Sequence, residues 1–176
     1  MMLTPSSHWQ DNRWEWALIL ILAFWFSSSL FLDLLVMPSL YLSGMMQSAE
    51  FAAAGTNLFS LFNRIEVIGA AIALTVVGLR QLMPTWHREA LLRNLPWAGL
   101  LFGITLLYTY WLTPMMGGLG MPLSDLGEVT DVPQTMNQLH TLYWCLEVLK
   151  LSSIGLLLSR SLQRQLLVES SHLGAI

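Results

Sequence analysis

Six ionisable side chains stand where the chain is otherwise apolar: Asp33, Arg64, Glu66, His140, Glu147 and Lys150. Three of them fall in one stretch, HTLYWCLEVLK, from His140 to Lys150, inside the last long apolar run. Carboxylates beside an ammonium or guanidinium in a water-poor setting form ion pairs, hold a proton or bind a cation, and an imidazole adds a metal ligand. Glu147 and Lys150 are i,i+3 and meet on one helix face. His140, Tyr143, Glu147, Lys150 and Ile154 share one stripe, expected to face the interior of a bundle.

The elements that must position these groups are membrane-crossing helices. The chain of 176 residues is 55% hydrophobic and 11% charged, with a mean hydropathy of +0.57. A soluble domain carries about 25% charged residues. Four apolar runs, at about 14–37, 58–83, 95–112 and 139–158, each come near the ~20 residues that cross the hydrocarbon. The expected fold is all-α: a polytopic membrane protein, a four-transmembrane-helix bundle in a single membrane domain over 1–176. Pro38, Pro84 and Pro114 are expected to close the first three spans, and Pro96 lies near the start of the third. Residues 115–138, rich in Gly and Pro, read as the longest loop. Ser48 is expected to cap the second helix with Glu50 in its first turn, and the fourth helix is expected to run on into the tail. The first run exceeds the ~7–15 apolar residues of a signal peptide and no A-x-A-like site follows it.

Charge sets the expected topology. Arg13, Arg80, Arg88, Arg93, Arg160 and Arg164 fall on one side, and the 38–57 and 115–138 segments on the other side carry no Lys or Arg. The positive-inside bias then puts both termini in the cytoplasm, and Trp9, Trp14, Trp16, Trp86 and Trp97 form a belt at that interface. Gly99 with Gly103, and Gly69 with Ala73, are small-x-x-x-small pairs that let helices approach closely, within the bundle or in a homodimer.

Helical rise fixes the depths. At ~1.5 Å per residue, His140 lies near the outer interface, Glu147 about 10 Å deeper and Lys150 about 15 Å deeper. Arg64 and Glu66 lie roughly 9–12 Å in from the same side, and Asp33 in the last turn of the first span. Each such charge costs about 2.5–3.5 kcal/mol at a helix centre, so five unpaired groups would cost on the order of 10–15 kcal/mol. Pairing or hydration is required, and Lys150–Glu66 or Arg64–Glu147 are the expected interhelical pairs. Two readings of the charges stay open: ionic glue between helices, or a polar pocket in the outer half of the bundle.

Other signals are weaker. His140 is a candidate haem or metal ligand or, more simply, a hydrogen-bonded interfacial residue. Seven methionines, Met37, Met45, Met46, Met115, Met116, Met121 and Met136, lie in or beside the outer segments; thioethers suit Cu(I), but no M-x-M repeat appears. Asp125, Glu128 and Asp131 lack EF-hand spacing, and no P-loop, Rossmann glycine pattern or nucleophile–base set is present. The single cysteine, Cys145, reads as a buried, inert thiol. No basic cluster points to nucleic acid.

The segments FWFSSSLFLDLLVMPSLY, SAEFAAAGTNLFSLF, TYWLTP and QLHTLYW resemble an uncharacterised four-helix membrane family related to the cisplatin-resistance-associated transmembrane protein. The resemblance covers roughly 17–160 and implies four helices and a membrane location. More distantly the layout is similar to copper-resistance D-type proteins and to HemJ, a haem-binding protoporphyrinogen oxidase that relies on a His in the first span. Residues 14–37 contain no His, which leaves Lys150 and His140 as stand-ins. Three functions are expected on these grounds. The first is a non-enzymatic integral, multi-pass protein in the lipid bilayer whose pocket (Asp33, Arg64, Glu66, His140, Glu147, Lys150) binds or passes a small solute, proton or metal. The second is an accessory subunit of a larger membrane complex, and the third a HemJ-like haem oxidoreductase.

Overall fold

The structure, a computed structural model, describes residues 6–43, 49–79, 88–125 and 134–173. All regular structure among these residues is helical: α1 (Ser6–Phe31), a π-helical turn (Leu32–Val36), α2 (Met37–Leu42), α3 (Ala49–Leu79), α4 (Arg88–Leu107), a second π-helical turn (Tyr108–Leu112), α5 (Thr113–Asp125) and α6 (Gln134–Leu173). α1 and α2 run on as one rod through the first π turn, and α4 and α5 as another through the second. Four stretches are long and apolar enough to cross a membrane: Arg13–Leu42, Ala53–Leu79, Arg93–Gly120 and Gln134–Leu167.

These helices outrun the apolar runs. Pro38 and Pro114 do not end their helices, and 115–125 is helix rather than loop. The two sites share a mechanism. The N–H just before each proline bonds five residues back, Met37 to the Leu32 carbonyl and Thr113 to the Tyr108 carbonyl. Each proline then stands second in the following helical segment, where a missing N–H is tolerated. Pro96 lies near the start of the third spanning stretch, inside α4, which begins before that stretch does. The Ser48 cap, Pro84, Trp86 and residues 126–133 of the expected loop lie outside the described residues.

The rods form a closed ring: α1 packs against α3 and α6, and α4 also packs against both. Contacts make every neighbouring pair antiparallel. Trp25 and Ser29 of α1 reach Glu66 of α3, and Trp25 also meets Gly69 at 3.8 Å from where a Cβ would stand. Arg160 near the end of α6 donates to the Arg93 carbonyl and to Asn94 near the start of α4. Arg164 reaches Glu15 of α1 at 3.9 Å. At the other end a Cβ on Gly117 of α5 would stand 2.7 Å from Thr56 Cγ2 of α3.

Two apolar cores fill the ring. One, nearer the Glu15–Arg164 end, contains Leu18, Leu22, Trp25, Ala70, Ala73, Val76, Val77, Ala98, Leu101, Ile154 and Leu157. The other, toward α2 and α5, contains Ile104, Tyr108, Leu112 and Leu139. Outside, large apolar side chains such as Leu20, Phe24 and Ile68 are exposed, while charged ones are buried inside. That is the reverse of a soluble domain.

Candidate functional site

Between the two apolar cores lies the polar cluster. The four spanning stretches have their midpoints near residues 28, 66, 107 and 150, so Ser29, Glu66, Tyr108 and Lys150 meet at one level. Lys150 Nζ lies 2.6 Å from Glu66 Oε1 and 2.8 Å from Glu147 Oε2, and the Lys150, Glu66 and Glu147 side chains are each 1% exposed. The ammonium also lies 5.3 Å from the centre of the Tyr108 ring and 6.0 Å from that of Phe62. Ion pairs this deep survive only when remaining protons and lone pairs are also met.

Much of that demand is satisfied by neutral donors. Glu66 Oε1 accepts from Trp25 Nε1 at 2.8 Å and from Ser29 Oγ at 3.1 Å. Tyr108 OH lies 3.2 Å from both Glu147 Oε2 and the Tyr143 carbonyl, and its ring stacks on Tyr143 at 5.3 Å. Tyr143 OH donates to Asp33 Oδ1 at 3.0 Å. Asp33 and Glu147 are thereby both tied to the stacked Tyr108–Tyr143 pair. Asp33 and Tyr108 both stand in the π turns, and both side chains are buried there. Widened turns of this kind recur at functional sites, because the extra residue re-aims the side chains around it.

Three oxygens remain buried without a protein donor: Asp33 Oδ2, Glu66 Oε2 and Glu147 Oε1. Three carboxyl groups therefore share the cluster with one ammonium, which pairs directly with two of them, and each keeps acceptor capacity in reserve.

The structure joins Asp33, Glu66, Glu147 and Lys150, and makes the expected Lys150–Glu66 pair. It does not join Arg64 or His140. Arg64 is exposed on the outside of α3; it stands two residues before Glu66, about 200° away around a helix, so both cannot point inward. The Arg64–Glu147 pair is accordingly not formed. His140 is exposed two turns above Glu147, where its Nδ1 meets the Met136 carbonyl at 2.9 Å. Cys145 is exposed rather than buried. Tyr143 is half-buried and Ile154 fully buried on the predicted stripe. Trp25, Ser29 and Tyr108 join the cluster without a charge to mark them in the sequence. A signal existed in the first span, where Trp25, Ser29 and Asp33 recur every four residues.

Among the described residues no three His, Cys, Asp or Glu side chains converge as metal ligands. Of the two stand-ins for a haem ligand, Lys150 is held between two carboxylates and His140 lies outside the cluster. Comparison with protein-family models, curated proteins and solved structures finds no match to the chain.

Proposed function

We propose that the chain is a multi-pass membrane protein with both termini cytoplasmic, and that its mid-membrane cluster binds a proton between Asp33 and Glu147, with Lys150 as fixed counter-charge. The observation that carries this reading is the imbalance of three buried carboxyl groups around one ammonium, each with an oxygen that no protein donor meets. Ionisable groups at this depth are costly and mark relays or ligand sites when they are retained. A proton held by Asp33 and Glu147 offsets one of the three carboxylate charges and supplies a donor where the protein supplies none.

Exchange takes place toward α2 and α5. On that side Tyr143, bonded to Asp33, is half-buried, and the core is small. On the other side the larger apolar core closes the ring. The arrangement supports binding with one-sided access rather than passage through the bundle.

Infrared spectroscopy of the full chain in lipid vesicles tests the proposal. The carbonyl band of a protonated carboxyl is expected near neutral pH, and both Asp33→Asn and Glu147→Gln should remove it. Stability carries the same information. If the folded bundle holds one proton that the unfolded chain releases, stability falls as pH rises, by about 1.4 kcal/mol per pH unit. Glu147→Gln should flatten that slope. Absence of the band between pH 5 and 8, with equal slopes in wild type and variant, would leave the cluster as a fixed set of ion pairs.

A further inference from the structure

Arg64 is a charge near the middle of its spanning stretch that the cluster leaves out. It is exposed on the outside of α3, beside Leu61, Ile65 and Ile68, which are 61%, 50% and 60% exposed. It makes no hydrogen bond or ion pair with any described residue. The stretch Ala53–Leu79 has its midpoint at residue 66, so Arg64 lies about 3 Å of helical rise from mid-depth. With a hydrocarbon layer ~30 Å thick, its backbone is about 12 Å from the nearer boundary. Apolar lipid tails offer that guanidinium no counter-charge, and a charge at this depth is retained where a partner meets it.

The surroundings define the partner. Leu61, Ile65, Ile68 and Ile72 are all exposed and recur at spacings of four, three and four. Any outward helix stripe has this spacing, and it is also the seam along which a second helix packs. Arg64 flanks the seam, in the position from which charged side chains reach across to a neighbouring helix. A second copy of this chain does not supply the counter-charge. Its described spanning carboxylates Glu15, Asp33, Glu66 and Glu147 are all 4% exposed or less.

We propose that the Arg64 face of α3 docks a membrane-spanning helix of a different protein, one that carries a carboxylate near its own midpoint. The inference rests on the membrane reading of the chain and is independent of proton binding by the cluster.

Synthetic transmembrane helices of polyleucine with a central Glu, Gln or Leu, tagged with an energy-transfer acceptor, serve as the partner. The eight tryptophans of the full chain, reconstituted in phosphatidylcholine vesicles, act as donors. The Glu helix is expected to associate at least tenfold more tightly than the Gln or Leu helix. Arg64→Leu should abolish that preference while melting no lower than wild type, and Arg64→Lys should retain part of it. Equal association of the three helices overturns the proposal. So does Arg64-dependent self-association without peptide, which would assign the face to a second copy. Arg64-dependent enrichment of phosphatidylglycerol around the chain, with no preference among the peptides, overturns it in favour of a lipid headgroup. Failure of the chain to float with the vesicles removes the membrane reading and this proposal together.

Discussion

The two halves of the bundle solve the same packing problem by different means. In the half toward Glu15 and Arg164, Ala70, Ala73 and Ala98 are 0–1% exposed and let the rods approach, while Leu18, Leu22, Leu101 and Leu157 fill the space between. Such contacts are non-directional, and small residues at the crossing are enough to hold membrane helices together. In the half toward α2 and α5 the contacts are directional: two π turns, a stacked tyrosine pair and a chain of carboxyl groups ending on Lys150. Proline alone does not account for the difference. Pro96 lies within α4 in the apolar half, and α4 stays α-helical around it. Pro38 and Pro114 each follow a widened turn that carries a buried polar side chain into the cluster. The irregular backbone goes with the polar demand.

The sharpest way to break this contrast is Lys150→Met. The substitution leaves Glu66 and Glu147 buried without their ammonium, and loss of one partner of a buried pair costs about 3–5 kcal/mol. Denaturant unfolding in mild detergent should show a loss of that size. Replacing the whole set, with Glu66→Gln, Glu147→Gln and Lys150→Met together, should recover much of it, because buried neutral groups carry a far smaller desolvation penalty than unpaired charges. If the triple variant is instead as unstable as Lys150→Met, the charges are glue for this half.

Leu101→Ala probes the other half. Leu101 is 0% exposed in the larger apolar core, and truncation there should cost about 2–5 kcal/mol, with the value set by how far the cavity collapses. The infrared carboxyl band should stay in place. A change in that band would mean that the two halves are coupled rather than separate.

Rise along the helices was enough to read much of this arrangement from the sequence, and rotation about them was what it lacked. Depth alone brought Glu66, Glu147 and Lys150 to one level and suggested the Lys150–Glu66 pair. The same arithmetic placed Arg64 beside Glu66, although two residues turn a helix by about 200° and send one of them outward. His140 shares the stripe of Glu147 but stands two turns nearer the helix end, where it is exposed. The prolines misled for a related reason. Local rules stop a helix at Pro38 and Pro114, whereas an i→i−5 bond ahead of each lets the helix continue. That bond belongs to the packed rods, and no residue type announces it.

Glycine tests the halves on a finer scale. In the polar half, Gly117→Ala would put a Cβ 2.7 Å from Thr56 Cγ2 and 2.9 Å from its Oγ1. The overlap of α3 and α5 should cost about 1–3 kcal/mol. Thr56→Ser, which removes Cγ2, should restore part of the loss. Without that restoration, the close approach of α3 to α5 is not what excludes the methyl group.

Gly103 should give the smallest effect and one of opposite sign. With Gly99 it forms the G-x-x-x-G of the apolar half, yet both are exposed and a Cβ at either would meet nothing within 4 Å. In this half a Cβ on Gly69 would instead stand in ordinary contact with Trp25 at 3.8 Å, and Ala73 is buried in the core. Gly103→Ala removes only the conformational freedom of glycine in a helix, so it should stabilise the chain by about 0.5–1 kcal/mol. Thermal unfolding in detergent gives the sign. A loss of stability accompanied by a shift from dimer to monomer in sedimentation would place a second copy of the chain against Gly99 and Gly103. The pair would then hold two bundles together by close backbone approach, while the apolar half of each bundle closes without it.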